Sequence, residues 1–297
     1  MIYIHLGLHK TGTTSLQNSV FPYLEHVEFI GRGEDENELF KKISKVVFSK
    51  EFNKSDYQCI IDEINVIDRD ILISDEWFTS EYSGLYGFNG CSWREKVRRL
   101  SILFSNIETK AFVTIRYPHE IVPSTYAEFI PRGIKHYYSN LKEYVDNSED
   151  GQTYDFEELV KYLEEMFVSV EVFTFESIIE DKAKLLCLEL FDESEIKNME
   201  HNNKRTKSDT YVIVERQRTY INKVINLLSK ISVFIPFKRT KLMLDIKQKV
   251  LSFRNEKILV DKPIPSDVDY IRDKYRKSYD YYHSVRDSEL KKRSVRG

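Results

Sequence analysis

Nine residues near the start of the chain, Gly7-Leu8-His9-Lys10-Thr11-Gly12-Thr13-Thr14-Ser15, constrain its fold more than any other feature. A short β-rich run, Ile2 to Leu6, precedes them, and from Ser15-Leu16-Gln17 onward the residues read as a helix. A strand, a tight Gly- and Thr-containing turn and a helix make up the opening unit of a nucleotide-binding α/β fold. In such a turn, backbone N–H groups face an anion, and the dipole of the following helix favours its charge. Thr and Ser hydroxyls add further donors. Gly7 and Gly12 keep the glycine spacing of the Walker A pattern G-x-x-x-x-G-K-[ST]. Thr13, however, stands in the place of its lysine, and the lysine lies at Lys10, inside the loop.

The rest of the chain extends this α/β reading. Asp70-Ile71-Leu72-Ile73-Ser74 is a second buried strand, and Lys110 to Arg116 is the clearest strand of all. Val168 to Phe175 is another. Helices are expected over 12–25, in the acidic stretch 34–66, over Trp93–Asn106, from Pro118 to about Phe129, and over Phe156–Phe167 and Glu176–Leu190. Pro118 suits a first helical turn. Strands alternating with helices imply a parallel sheet, with ligands at the C-terminal ends of the strands. Beyond residue 207 the pattern reads as helical, over Tyr211–Ser232, Arg239–Phe253 and Val268–Leu290, punctuated by Pro236, Pro263 and Pro265. The expected architecture is a P-loop-like parallel sheet flanked by helices over 1–210. A basic helical extension, 211–297, would pack on the same domain.

Composition narrows the class. With 297 residues, 41% hydrophobic and 31% charged, the chain can bury a large core. Aromatic residues at 13% argue against disorder, and only 7 Pro and 10 Gly leave little room for long flexible linkers. Cys59, Cys91 and Cys187 are too few and too scattered for a disulfide framework or a zinc site. No apolar run approaches the ~18 residues of a membrane span, and no signal peptide is read, so a cytoplasmic location is expected. The net charge of -3 hides an asymmetry: residues 1–200 hold 21 Lys+Arg against 37 Asp+Glu, and residues 201–297 hold 24 against 11. The basic final third implies an anionic contact. Donor phosphates, an acidic glycan or a membrane surface carrying a lipid-linked acceptor would serve. The alternative is a solvated helical surface facing the acidic remainder. No nucleic-acid partner is implied.

The loop Gly7–Ser15 resembles the 5′-phosphosulfate-binding loop of sulfotransferases that use 3′-phosphoadenosine-5′-phosphosulfate (PAPS), especially bacterial ones with carbohydrate acceptors. The displaced lysine suits that chemistry. The transferred sulfuryl group carries less charge than a phosphoryl group, and one ammonium near the bridging oxygen can neutralise developing charge without a metal. The resemblance implies that His9, Lys10, Thr11, Gly12, Thr13, Thr14 and Ser15 bind the donor, with Lys10 catalytic. The segment Arg116-Tyr117-Pro118 through Ser124 resembles the family's 3′-phosphate motif, an Arg at a strand end and a Ser eight residues later. Arg is a planar multi-donor fork for phosphate. Pro123 departs from that motif and is expected to kink the helix beside Ser124.

Ile73-Ser74-Asp75-Glu76 resembles the Ser-x-Glu segment on the acceptor side of carbohydrate sulfotransferases, which makes Glu76 the candidate general base. A helix N-cap is the alternative for the same residues, and His9 and His119 are rival bases. Glu176 resembles a family carboxylate that orients basic side chains. Residues 202–207, with Lys204, stand where the family has a basic loop over the 3′-phosphate. Tyr82, Tyr86, Phe88 and Trp93 could stack on sugar rings or serve the core. The function implied is transfer of a sulfuryl group from PAPS, without a metal, to a hydroxyl or amine of a carbohydrate or glycolipid. The alternatives are a P-loop nucleotide or sugar kinase and an inactive glycan-binding protein of the same fold.

Overall fold

The computed structural model describes residues 1–31, 37–49, 54–80, 91–130, 134, 137–180, 211–217, 255–261 and 263–296. Its centre is a parallel sheet whose strands are apolar on both faces. Strands β1 (Ile2–His5), β2 (Val27–Gly31), β3 (Asp70–Ser74), β4 (Thr109–Ile115) and β5 (Ser169–Thr174) lie in the order β2-β3-β1-β4-β5, every pairing parallel. Successive side chains of a strand point to opposite faces, and the core divides accordingly. Ile2, Ile4, Ile71, Ile73, Ala111, Val113 and Ile115 enter the larger cluster. Tyr3, Leu72, Phe112 and Phe173 enter a smaller one with Leu16 of α1 (Thr13–Ser19) and Val20 just after it. Burial on both faces is the sequence signature of a parallel sheet covered by helices.

The larger cluster takes side chains from α2 (Glu38–Phe48), α3 (Lys54–Asn65), α4 (Trp93–Leu103), α5 (Pro118–Phe129), α6 (Leu141–Asn147) and α8 (Phe156–Met166). The short α7 (Glu149–Thr153) lies between α6 and α8, and α9 (Phe175–Glu180) follows β5 directly. The expected α/β architecture, a parallel sheet flanked by helices, is thus present.

Several boundaries differ from the sequence expectation. The first helix stops at Ser19, and Phe21–Tyr23 forms a single 3-10 turn with Pro22 in its first positions. Strand β2 was not anticipated. The helical stretch 34–66 holds two helices, and the helix from Trp93 ends at Leu103. Tyr211–Gln217, expected as the start of a helix, is instead strand β6. It pairs antiparallel with β7 (Asn255–Asp261) in a separate two-stranded sheet. Its β-branched run Val212-Ile213-Val214 suits a strand, and the non-local partner decides the outcome. Residues 218–254, with the expected helix Arg239–Phe253, and residues 181–210 lie outside the described residues. The expected helix Val268–Leu290 occurs as two, α10 (Pro265–Lys274) and α11 (Arg276–Arg296), which meet at Tyr275. Helix α10 packs on α5 and α6, and α11 on α8 and β5. No helix among the described residues is long and apolar enough to cross a membrane.

Candidate functional site

The strand order sets the location of the site. The chain leaves β1 toward β2 and β3, and leaves β4 toward β5, so β1 and β4 are neighbours with connections running in opposite directions. In open α/β sheets, ligands bind in the crevice at such a switch point, outside the C-terminal ends of the strands. The Gly7–Ser15 loop follows β1, and Arg116 follows β4.

The loop is built by local chemistry. Lys10 (φ 66°) and Gly12 (φ 84°) are left-handed. Glycine adopts this conformation without steric cost, but for lysine it costs roughly 1 kcal/mol, a strain the surrounding loop must hold. The Gly12 carbonyl accepts from Ser15 N (3.0 Å) and Leu16 N (3.1 Å), which starts α1. The buried Thr11 hydroxyl donates to the Leu8 carbonyl (2.6 Å). Thr14 is half-buried and Ser15 buried. At Gly7 a Cβ would stand 2.0 Å from the Thr13 methyl. Gly7→Ala is therefore expected to lower unfolding free energy by about 1–3 kcal/mol through overpacking, read by urea denaturation. An unchanged midpoint would mean that the loop yields freely.

The two motifs meet. Arg116 donates from Nη1 to the Lys10 carbonyl (3.3 Å) and from Nε to Glu120 (2.7 Å). Its guanidinium lies 4.5 Å from the centre of the Phe175 ring, which also touches the space beside Gly12. The Lys10 ammonium pairs with Glu128, near the end of α5. Helix α5 runs unbroken through Pro123, and Ser124 is half-buried upon it. Lys204 lies outside the described residues.

On the other side of the loop stands the segment after β3. Asp75 caps the one-turn 3-10 helix Glu76–Thr79, accepting from Trp77 N (3.0 Å). Glu76 is directed at the loop: its Oε2 accepts from the Thr13 hydroxyl (2.9 Å) and faces His9 Nδ1 at 3.4 Å. The capping and loop-directed readings of this segment thus fall on neighbouring residues. Thr79 donates to the Gly7 carbonyl (3.2 Å), and Gln17 to the Ser74 hydroxyl (2.9 Å), so loop, α1 and turn are tied together. Lys96 of α4 is wholly buried and donates to the carbonyls of Trp77 (3.1 Å) and Ser80. Burial pulls its pKa down to about 8.

The histidines differ sharply. His9 is buried between the edges of Trp77 and Phe129. Burial lowers its pKa, but the charge and hydrogen bond of Glu76, with the charges of Glu128 and Asp150, together outweigh burial, so the net shift is upward. Its Nε2 has no hydrogen-bond partner among the described residues. His5, bonded to Ser74 (2.8 Å), is pushed down to about 3 by burial and stays neutral. His119 is held away from this cluster by Tyr279 of α11. The Tyr279 hydroxyl accepts from His119 N (3.1 Å) and shares a second hydrogen bond with His119 Nδ1 (2.5 Å). Burial, with the Arg272 and Arg116 charges, lowers the His119 pKa.

Three α11 residues had no signal in the sequence beyond helical spacing. Besides Tyr279, Tyr282 donates to Glu176 and its ring lies 4.1 Å from that of Tyr117. Among the described residues, Glu176 thus takes a tyrosine hydroxyl. Buried Glu289 accepts from Thr174 N (3.2 Å), Thr174 Oγ1 (2.7 Å) and Ser177 Oγ (2.5 Å), which caps the start of α9. Trp93 lies in the core, away from any sugar-stacking position. Tyr82, Tyr86 and Phe88 lie outside the described residues.

The fold and site define an α/β protein with a cationic loop at a topological switch point. No protein-family model matches the chain, and no curated protein matches it.

Proposed function

We propose that this protein is a PAPS-dependent sulfotransferase acting on a hydroxyl or amine, with a carbohydrate or glycolipid as acceptor and the cytoplasm as its place of work. The observation that carries the reading is the meeting of Lys10 and Arg116. Two motifs separated by 106 residues are joined through the Arg116–Lys10 hydrogen bond at the β1/β4 crevice. Such a pair can take the two phosphate ends of one nucleotide. The residues fit that group: two left-handed positions shape the loop, and both cations now hold carboxylates that phosphate oxygens can replace.

The donor supplies the sulfuryl group and a phosphate leaving group. Lys10 would neutralise the negative charge growing on the leaving oxygen, a task suited to a fixed ammonium in a site screened from water. Arg116 would hold the 3′-phosphate through its planar fork. Glu76 would accept the proton of the acceptor as the new S–O bond forms and the S–O bond to phosphate breaks. Its attachment to Thr13 keeps that carboxylate against the loop.

Isothermal titration with adenosine 3′,5′-bisphosphate, with and without Mg²⁺, tests the donor. Metal-independent binding is expected. A requirement for Mg-ATP instead would indicate a kinase, and binding of neither would indicate an inactive relative. Arg116→Ala should weaken bisphosphate binding by ~2–5 kcal/mol, the cost of leaving a desolvated charge unpaired. Unchanged affinity would remove Arg116 from the donor site. Transfer of labelled sulfate from PAPS to a panel of glycans and glycolipids identifies the acceptor.

A further inference from the structure

Both cations of the loop crevice are occupied by carboxylates of one helix. Glu120, in the first turn of α5, takes Arg116 Nε at 2.7 Å, and Glu128, in its last turn, takes the Lys10 ammonium. Lys10 and Glu128 are each about four-fifths buried as side chains, so their pairing is sheltered from the screening that weakens surface pairs. Each carboxylate sets one oxygen, Oε2, against its cation. A ligand anion that takes this place must displace the carboxylate or share the cation with it at the cost of like-charge repulsion.

We propose that Glu120 and Glu128 are built-in competitors for the anionic groups of the donor, so that donor entry is an exchange of carboxylate for phosphate at each cation. This rests on the reading of Lys10 and Arg116 as anion-binding groups. The consequence is a threshold. A single small anion must displace one ion pair with one set of contacts, and its affinity falls accordingly. A nucleotide with two anionic ends displaces both pairs within one binding event and loses its translational freedom only once. The helix that carries the competitors also follows Arg116 directly, so the exchange is confined to side-chain rotations on a rigid support.

The test is titration of the whole protein and of Glu128→Gln with adenosine 3′,5′-bisphosphate and, separately, with inorganic phosphate. Removing the competing charge is expected to tighten both by about fivefold, the equivalent of one partly exposed ion pair. Glu120→Gln should do the same and serves if the first variant does not fold. Unchanged or weaker binding in the folded glutamine variants overturns the proposal, since Glu128 would then be holding Lys10 in place for the ligand. If the wild type ignores the bisphosphate while a glutamine variant gains inorganic phosphate, the exchange stands and the nucleotide reading falls.

Discussion

Lys10→Ala is expected to abolish sulfuryl transfer and leave the fold standing. The side chain is the loop's own cation, and among the described residues it pairs with Glu128 rather than with the core. Loss of one fixed group that stabilises transition-state charge typically costs ~10²–10³ in turnover. In the proposed transfer the charge grows directly against the loop, so the upper end is expected. The backbone keeps its left-handed turn, since alanine is no more strained there than lysine. Turnover with labelled PAPS and a urea unfolding curve measure the two halves separately. A variant retaining more than a tenth of wild-type turnover would take the transition-state role away from Lys10.

Glu76→Gln should lower turnover by ~10²–10⁴, the usual worth of a positioned base, while bisphosphate binding stays near normal. Glutamine can still accept from Thr13, so the shape of the turn is kept and the proton-accepting charge is lost. The variant also has a signature independent of activity. His9 is held above its ordinary pKa of 6.5 against the opposing effect of burial, chiefly by Glu76. Without that charge burial prevails, and the His9 pKa should fall, visible by NMR titration. The sign for stability follows. The His9–Glu76 pair stabilises the fold fully below pH 6.5, and this is lost as pH rises through the raised folded pKa. In Glu76→Gln that dependence should reverse: with burial holding the His9 pKa below 6.5, stability is lost as pH falls through 6.5. Full turnover in the variant would leave Glu76 as a turn residue and make His9 the next candidate base. An acceptor amine that arrives unprotonated would show a smaller loss.

The legible parts of the fold are those governed by local pattern. Strands β1, β3, β4 and β5 are short apolar runs beside Gly, Pro or charged residues, and the loop and Arg116 are marked by residue types rare in ordinary turns. Strand β2 escaped because Glu28, half-buried on an outer strand, interrupts a short apolar run. Strand β6 escaped because its partner strand begins only at Asn255, beyond the reach of local pattern. The same limit governs the site. Lys10, Arg116 and Glu76 could be named from motifs, but Glu128, Tyr279 and Glu289 act through contacts spanning more than a hundred residues. No periodicity encodes such contacts.

The buried carboxylate of Glu289 sets a timetable for the newborn chain. Strand β5 is an outer strand of its sheet, and the residue that caps its end is 115 positions further on. At the ~5–20 residues per second of synthesis, Thr174 and Ser177 wait on the order of ten seconds for their partner. Through that interval the flank of β5 lacks the helix that packs against it, and an unpaired outer strand invites pairing with other chains. A ribosome stalled between residues 180 and 285 should therefore present β5 to chaperones, and release past residue 289 should end that engagement.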